Sequence, residues 1–228
     1  MELKIGEHWV GHIGSLQVHW DTLIMMWITM IILIVLSLVV TRKLSIIPNR
    51  IQSVAEGIMQ FFWDLVAPMG NEGLKHVPLL ATLFLFILTA NLIGQIPWRL
   101  YHLHEGELAS PTNDINMTAA MAVIVLVYYI ASGVIKKGPK YFLHYFKPFP
   151  VMLPFNLLED IIRPLTLSLR LFANILAGEV LIMVFIGMAS ILVPLPFMLF
   201  ELFVALIQAL VFTLLSAAYL TMATEDNH

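Results

Sequence analysis

Apolar runs about as long as a bilayer is thick alternate with short polar stretches along the whole chain. Residues 22–41 hold no charged residue in 20 positions, 77–98 none in 22, and 115–135 none in 21. A spanning helix needs about 20 apolar residues. Two longer stretches, 155–188 and 191–223, close the chain, and the second carries Glu201 as its only charge. It exceeds a straight crossing, so it should tilt. Pro164 is expected to bend the helix before it, and the prolines within 190–196 mark the turn between the two. Residues 50–67 differ: Ile51, Val54, Ile58, Phe61, Phe62 and Leu65 fall on one stripe, with Gln52, Glu56, Gln60 and Asp64 elsewhere. That pattern predicts an amphipathic helix in the interface or against the bundle, too polar to cross. Asn49 and Gln52 resemble a capping box at its start. The expected fold is an all-α integral membrane protein. It has five transmembrane helices, one amphipathic interfacial helix and a long, tilted, antiparallel C-terminal hairpin.

The polar stretches orient it. Residues 1–21 are rich in His and Gly (His8, His12, His19) and read as a solvated lead-in. Arg42, Lys43 and Arg50 follow span one, and Lys136, Lys137, Lys140 and Lys147 follow span three among aromatics. Basic residues mark the cytoplasmic side. This puts 1–21 and the 99–114 loop outside, with 136–150 and the C-terminus in the cytoplasm. His102 and His104 in the outer loop are a weak metal signal and read better as solvated. Asn91 and Gln95 in span two are expected to tie helices together.

Composition narrows the classes. The chain is 60% hydrophobic and 12% charged, with a mean hydropathy of +0.89; soluble domains carry about 25% charged residues. A net charge of −3 gives no reason to expect nucleic acid, and the chain has no cysteine. Neither glycine-rich phosphate motif occurs, so no nucleotide or other cofactor is expected. No internal repeat is visible, which weakens an inverted-repeat transporter.

The candidate chemistry lies in LTLSLRLFANILAGE, Leu165 to Glu179. Arg170 sits inside an apolar run, with Asn174 one turn later and Glu179 two and a half turns later. A charge at bilayer depth costs about 3 kcal/mol on insertion scales, so such residues face a protein interior or an aqueous path. A simple Arg170–Glu179 bridge is disfavoured, because nine residues at about 100° each leave them half a turn apart. In the antiparallel hairpin, 170 and 208 are symmetric about 189, and 179 and 201 about 190. Arg170 is therefore expected at the depth of Gln208. Glu179 is expected near Glu201, in a second layer about 10–14 Å further out at 1.5 Å per residue. Arg keeps its charge at any working pH, while carboxylates in a low-dielectric site exchange protons near neutrality. Together they read as an outward proton route ending at a fixed positive barrier. A polar network that only specifies helix pairing is the blander reading.

SLRLFANILAGE (168–179), LIQALVFTLLSAAYL (206–220), PTNDIN (111–116) and MLPFNLLEDIIRPLTLSLR (152–170) resemble subunit a of the rotary ATP synthase membrane sector, most closely its cyanobacterial and chloroplast branch. The resemblance covers nearly the whole chain. It implies a non-catalytic stationary ion channel in a bacterial plasma membrane or a thylakoid-type membrane. Its partners would be the c ring, b-type peripheral-stalk subunits, the soluble ATPase head through the stalk, and lipid. It implies that Arg170 is the stator arginine facing the ring carboxylate, with Asn174 and Gln208 as polar neighbours. Glu179 and Asp114 would line the outward half-channel, and Glu201 occupies a position that varies among relatives. Gly178 departs from the acidic residue of the chloroplast type. The choice between H⁺ and Na⁺ belongs to the ring. A free-standing ion-coupled transporter would need substrate groups at the midplane and broken helices in paired halves. A membrane-embedded enzyme would need a nucleophile–base set or a metal-ligand spacing.

Overall fold

The computed structural model describes residues 10–13, 16–42, 44–95, 110–139, 141, 153–188 and 194–224. The lead-in contains a two-stranded antiparallel hairpin, β1 (Val10–Ile13) and β2 (Leu16–His19), with Val10 opposite His19 and Ile13 opposite Leu16. Six α-helices follow among the described residues: α1 (Trp20–Thr41), α2 (Arg50–Val66), α3 (Val77–Gly94), α4 (Ile115–Lys137), α5 (Leu153–Met188) and α6 (Pro194–Thr224). A 3₁₀ segment, Ala67–His76, links α2 to α3, with Gly70 taking the left-handed turn (φ 67°). All but α2 are long and apolar enough to cross a membrane. The chain is an all-α integral membrane protein, as the apolar runs predict.

Several boundaries differ from expectation. The first helix begins at Trp20, and α3 ends at Gly94; residues 96–109, including His102 and His104, lie outside the described residues. So do 142–152 and 189–193, which hold much of the turn expected within 190–196. Pro164 lies inside α5, which continues through it.

The capping box is not formed, since Asn49 makes no side-chain cap bond. The Gln52 amide instead holds the Ser45 backbone on both sides, accepting from its N–H (3.2 Å) and donating to its carbonyl (2.9 Å), and donates to Glu56 (2.7 Å). The apolar stripe of α2 is also divided. Phe62 and Val66 are buried against the bundle with Gln52, while Ile51, Val54 and Phe61 are exposed. In lipid an apolar face needs no protein cover, so the polar glutamine that can satisfy backbone groups goes inward.

Helix α3 is central, with α1, α2 and α6 around it, and α4 lies between α5 and α6. Leu80, Phe84, Ile87, Val125, Leu171 and Phe212 form part of one core. Helix α1 touches this bundle along one short stripe, Asp21, Thr22, Met25 and Thr29, all in its N-terminal half. Helices α5 and α6 have 36 and 31 residues. At 1.5 Å per residue they are about 54 and 46 Å long, against about 30 Å of hydrocarbon, and cannot both stand upright within it.

Three contacts fix the α5–α6 register. Phe185 stacks on Phe197 (centroids 4.3 Å apart), Gly178 lies against Glu201, and the Arg163 guanidinium lies 5.1 Å from the Tyr219 ring centroid. These pairs are symmetric about positions 189.5 to 191. The hairpin is therefore antiparallel about the proline-marked turn.

Candidate functional site

Arg170 is half-buried on α5, between the fully buried Leu167 and Leu171 and the exposed Thr166, Leu169 and Ala173. It makes no hydrogen bond or ion pair among the described residues. Asn174, one turn on, is likewise half-buried and without such a bond. The register places 170 opposite 209 to 212, so the buried Gln208 lies within about one turn of the arginine's level at 1.5 Å per residue. No Arg170–Gln208 hydrogen bond is present among the described residues. A guanidinium with no counter-ion among the described residues, beside the exposed stripe of Thr166, Leu169 and Ala173, is available to a charge brought up from outside this chain.

The two acids share a level but not a direction. Glu201 is 7% exposed, and its carboxylate lies where a Cβ at position 178 would have to stand. Gly178 is what makes that room. Its Oε2 has no hydrogen-bond partner among the described residues. Glu179, one residue further along α5, turns instead towards the 3₁₀ turn Pro111–Asn113. Its Oε2 accepts from Asn113 Nδ2 (2.5 Å) and its Oε1 from the Ser110 backbone N–H (3.4 Å). A step of one residue rotates a side chain by about 100°, which separates the two carboxylates' surroundings. The Gly178–Glu201 contact sets the carboxylates of Glu179 and Glu201 at neighbouring levels, the depth relationship expected from the hairpin.

The turn is itself tied down. Ser110 Oγ donates to the Ala90 carbonyl (3.1 Å) and meets Thr112 Oγ1 (2.6 Å), which donates to Asn91 Oδ1 (2.6 Å). Ser110 docks where any side chain at Gly94 would collide with it. Asn91 thus ties α3 to the turn, the structural role its position suggests.

Asp114 caps α4. Its Oδ1 accepts from the Asn116 backbone N–H (2.8 Å) and Asn116 Nδ2 (3.0 Å). Its Oδ2 accepts from Thr22 Oγ1 (3.2 Å) and lies 2.7 Å from His19 Nδ1. Asp114 is 5% exposed and Asp21 3%. The lead-in is therefore not simply solvated, because its last residues reach into the bundle.

At the other end of α5, Arg163 binds Glu159 (2.6 Å) and Asp160 (3.4 Å), Asp160 accepts from Tyr129 of α4 (3.0 Å), and Tyr219 of α6 covers the arginine. This cluster ties α4, α5 and α6 together below the Arg170 level. Ser168 and Thr118 add a hydroxyl bridge (3.2 Å) between α4 and α5.

Sequence reasoning missed His19, Asp21, Ser110 and Asn113. The acid in the first turn of α1 and the alternation Leu16-Gln17-Val18-His19 are the signals that mark the first two. Ser110 and Asn113 lie in an irregular segment whose path no periodicity gives.

Five helices long and apolar enough to cross a membrane, carrying a half-buried arginine and buried carboxylates, define an integral membrane protein. Residues 23–221 match the family model described as ATP synthase A chain, and the chain belongs to that family. This is the non-catalytic, ion-conducting subunit of the synthase membrane sector, which works with a c ring and a stalk.

Proposed function

We propose that this chain is the stationary ion channel of an F-type synthase and supplies two half-channels to the rotor ring, with Arg170 between them. Ions enter from the N-terminal side past Asp114, Glu179 and Glu201, neutralise a ring carboxylate, ride the ring round, and leave on the cytoplasmic side. Asn174 and Gln208 line the arginine's surroundings. The peripheral stalk and the ATPase head join through b-type subunits. The motifs favour the cyanobacterial and chloroplast branch and a plasma or thylakoid-type membrane.

The observation that supports this most is Arg170 itself, half-buried and without an ion pair among the described residues, beside an exposed stripe of α5. An Arg–carboxylate attraction of about 4 kcal/mol at 4 Å and an effective dielectric constant near 20 draws the proton off an arriving ring site. The membrane potential supplies about 2.3 kcal/mol per charge per 100 mV, a driving force of comparable size, so the attraction biases deprotonation without holding the rotor permanently. The test is Arg170→Ala in the complete synthase, purified with its ring and head and reconstituted into vesicles. Coupled ATP synthesis should be lost while the complex stays assembled; synthesis at the wild-type rate overturns the proposal.

A further inference from the structure

Resting on that reading, we propose that His19 is a proton-collecting residue that passes protons from outer water to Asp114. Three observations carry it. His19 Nδ1 lies 2.7 Å from Asp114 Oδ2, close enough for direct transfer. The His19 side chain is 25% exposed and that of Asp114 only 6%, so the ring connects a buried acid to the surface. The carboxylate also accepts from Thr22 Oγ1, Asn116 Nδ2 and the Asn116 N–H, and does not need the imidazole to satisfy it. A side chain serving only as a donor there could be an amide. A histidine adds what an amide lacks, a second ring nitrogen, so that it can take a proton on one side and give it up on the other.

The step balances. The imidazolium Nδ1–H bond breaks and an O–H bond forms on Asp114 Oδ2, leaving neutral His19 with its proton on Nε2. A half-turn of the ring about Cβ–Cγ brings the vacated nitrogen to outer water, which returns a proton to it. The neighbouring groups are accounted for. Asp21 is the second acid of this corner, on α1. Helix α3 presents Asn91 and Gln95, which do not titrate, and β1 carries His12, opposite Gln17. On the inner side, Asn113 adjoins Asp114 in sequence and holds Glu179, so the collected proton arrives one residue from the next acid's partner.

The experiment uses the complete synthase in vesicles, with inner pH and membrane potential fixed and outer pH varied. His19→Asn keeps an amide nitrogen near the Nδ1 position but carries no exchangeable charge; His19→Lys keeps a donor and a positive charge that does not leave near neutrality. Synthesis by His19→Asn should fall about tenfold at outer pH 8 and come within about twofold of wild type at pH 5.5, where bulk protons reach Asp114 unaided. His19→Lys should show the same flattened dependence. A wild-type pH profile in either assembled variant overturns the inference. So does failure of both to assemble, because His19 is then a structural tie. Arg170→Ala in the same preparation separates the two readings: loss of coupling there with a wild-type His19→Asn profile removes only this one.

Discussion

Asn113 donates its side-chain amide to Glu179 at 2.5 Å, joining the 3₁₀ turn before α4 to the C-terminal third of α5. The carboxylate is thus held by a loop. Glu179→Gln keeps the shape and removes the titration, so ATP-driven ion pumping should fall at least about tenfold with the complex still assembled. Asn113→Ala removes one bond to a charged group, worth about 1.5–3 kcal/mol, and should slow pumping less. Fluorescence-quench assays on inverted vesicles measure both; wild-type pumping by Glu179→Gln would mean that the acid is structural.

Arg170→Gln combined with Gln208→Arg should recover part of the synthesis lost in Arg170→Gln alone. The hairpin register puts both positions within about one turn of each other, so the charge moves sideways and keeps its level. Arg170→Lys should nearly fail, because lysine lacks the planar fork and can lose its proton in a dry site. Ion flux and ATP synthesis for the singles and the double decide it. A double no better than Arg170→Gln means that the charge must come from position 170.

Tyr129, Asp160, Arg163 and Tyr219 should act as one stabilising unit. Tyr129→Phe removes a single hydrogen bond, about 1 kcal/mol, and Tyr219→Ala a cation–π contact worth about 1–2 kcal/mol with its packing. Arg163→Ala removes the ion pairs to Glu159 and Asp160 and the contact with Tyr219 together, and should cost more than either. The midpoint of thermal release of this chain from the detergent-solubilised complex should follow that order.

Basic residues at the end of α4 predict that this end is cytoplasmic. A cysteine placed after Lys137 should resist an impermeant thiol reagent in intact cells, and one near Glu107 should react. External labelling at 137 would invert the topology.

The helices were legible because a backbone in lipid must satisfy itself, which converts every apolar run of bilayer length into a helix. The α5–α6 register was legible because Pro194 and Pro196 mark where the last helix starts, so counting back gives opposing positions to within a few residues. The inward face of α2 was not. The sequence rule that apolar means buried reverses in lipid, where Ile51 faces out and Gln52 faces in. Nor was the true partner of Glu179 legible. It comes from an irregular turn 66 residues away in sequence, fixed by hydroxyl contacts to α3 that leave no periodic trace.

Gly178 and Glu201 share a single volume, drawn from helices that meet only after the hairpin closes. The identity of either residue is therefore half of a joint choice. A larger residue at 178 calls for a shorter one at 201, and a change at one position is judged by what stands at the other. Histories of substitution at these two sites should be correlated, with intermediates less fit than either end state. A tally of each position alone would mistake that coupling for tolerance.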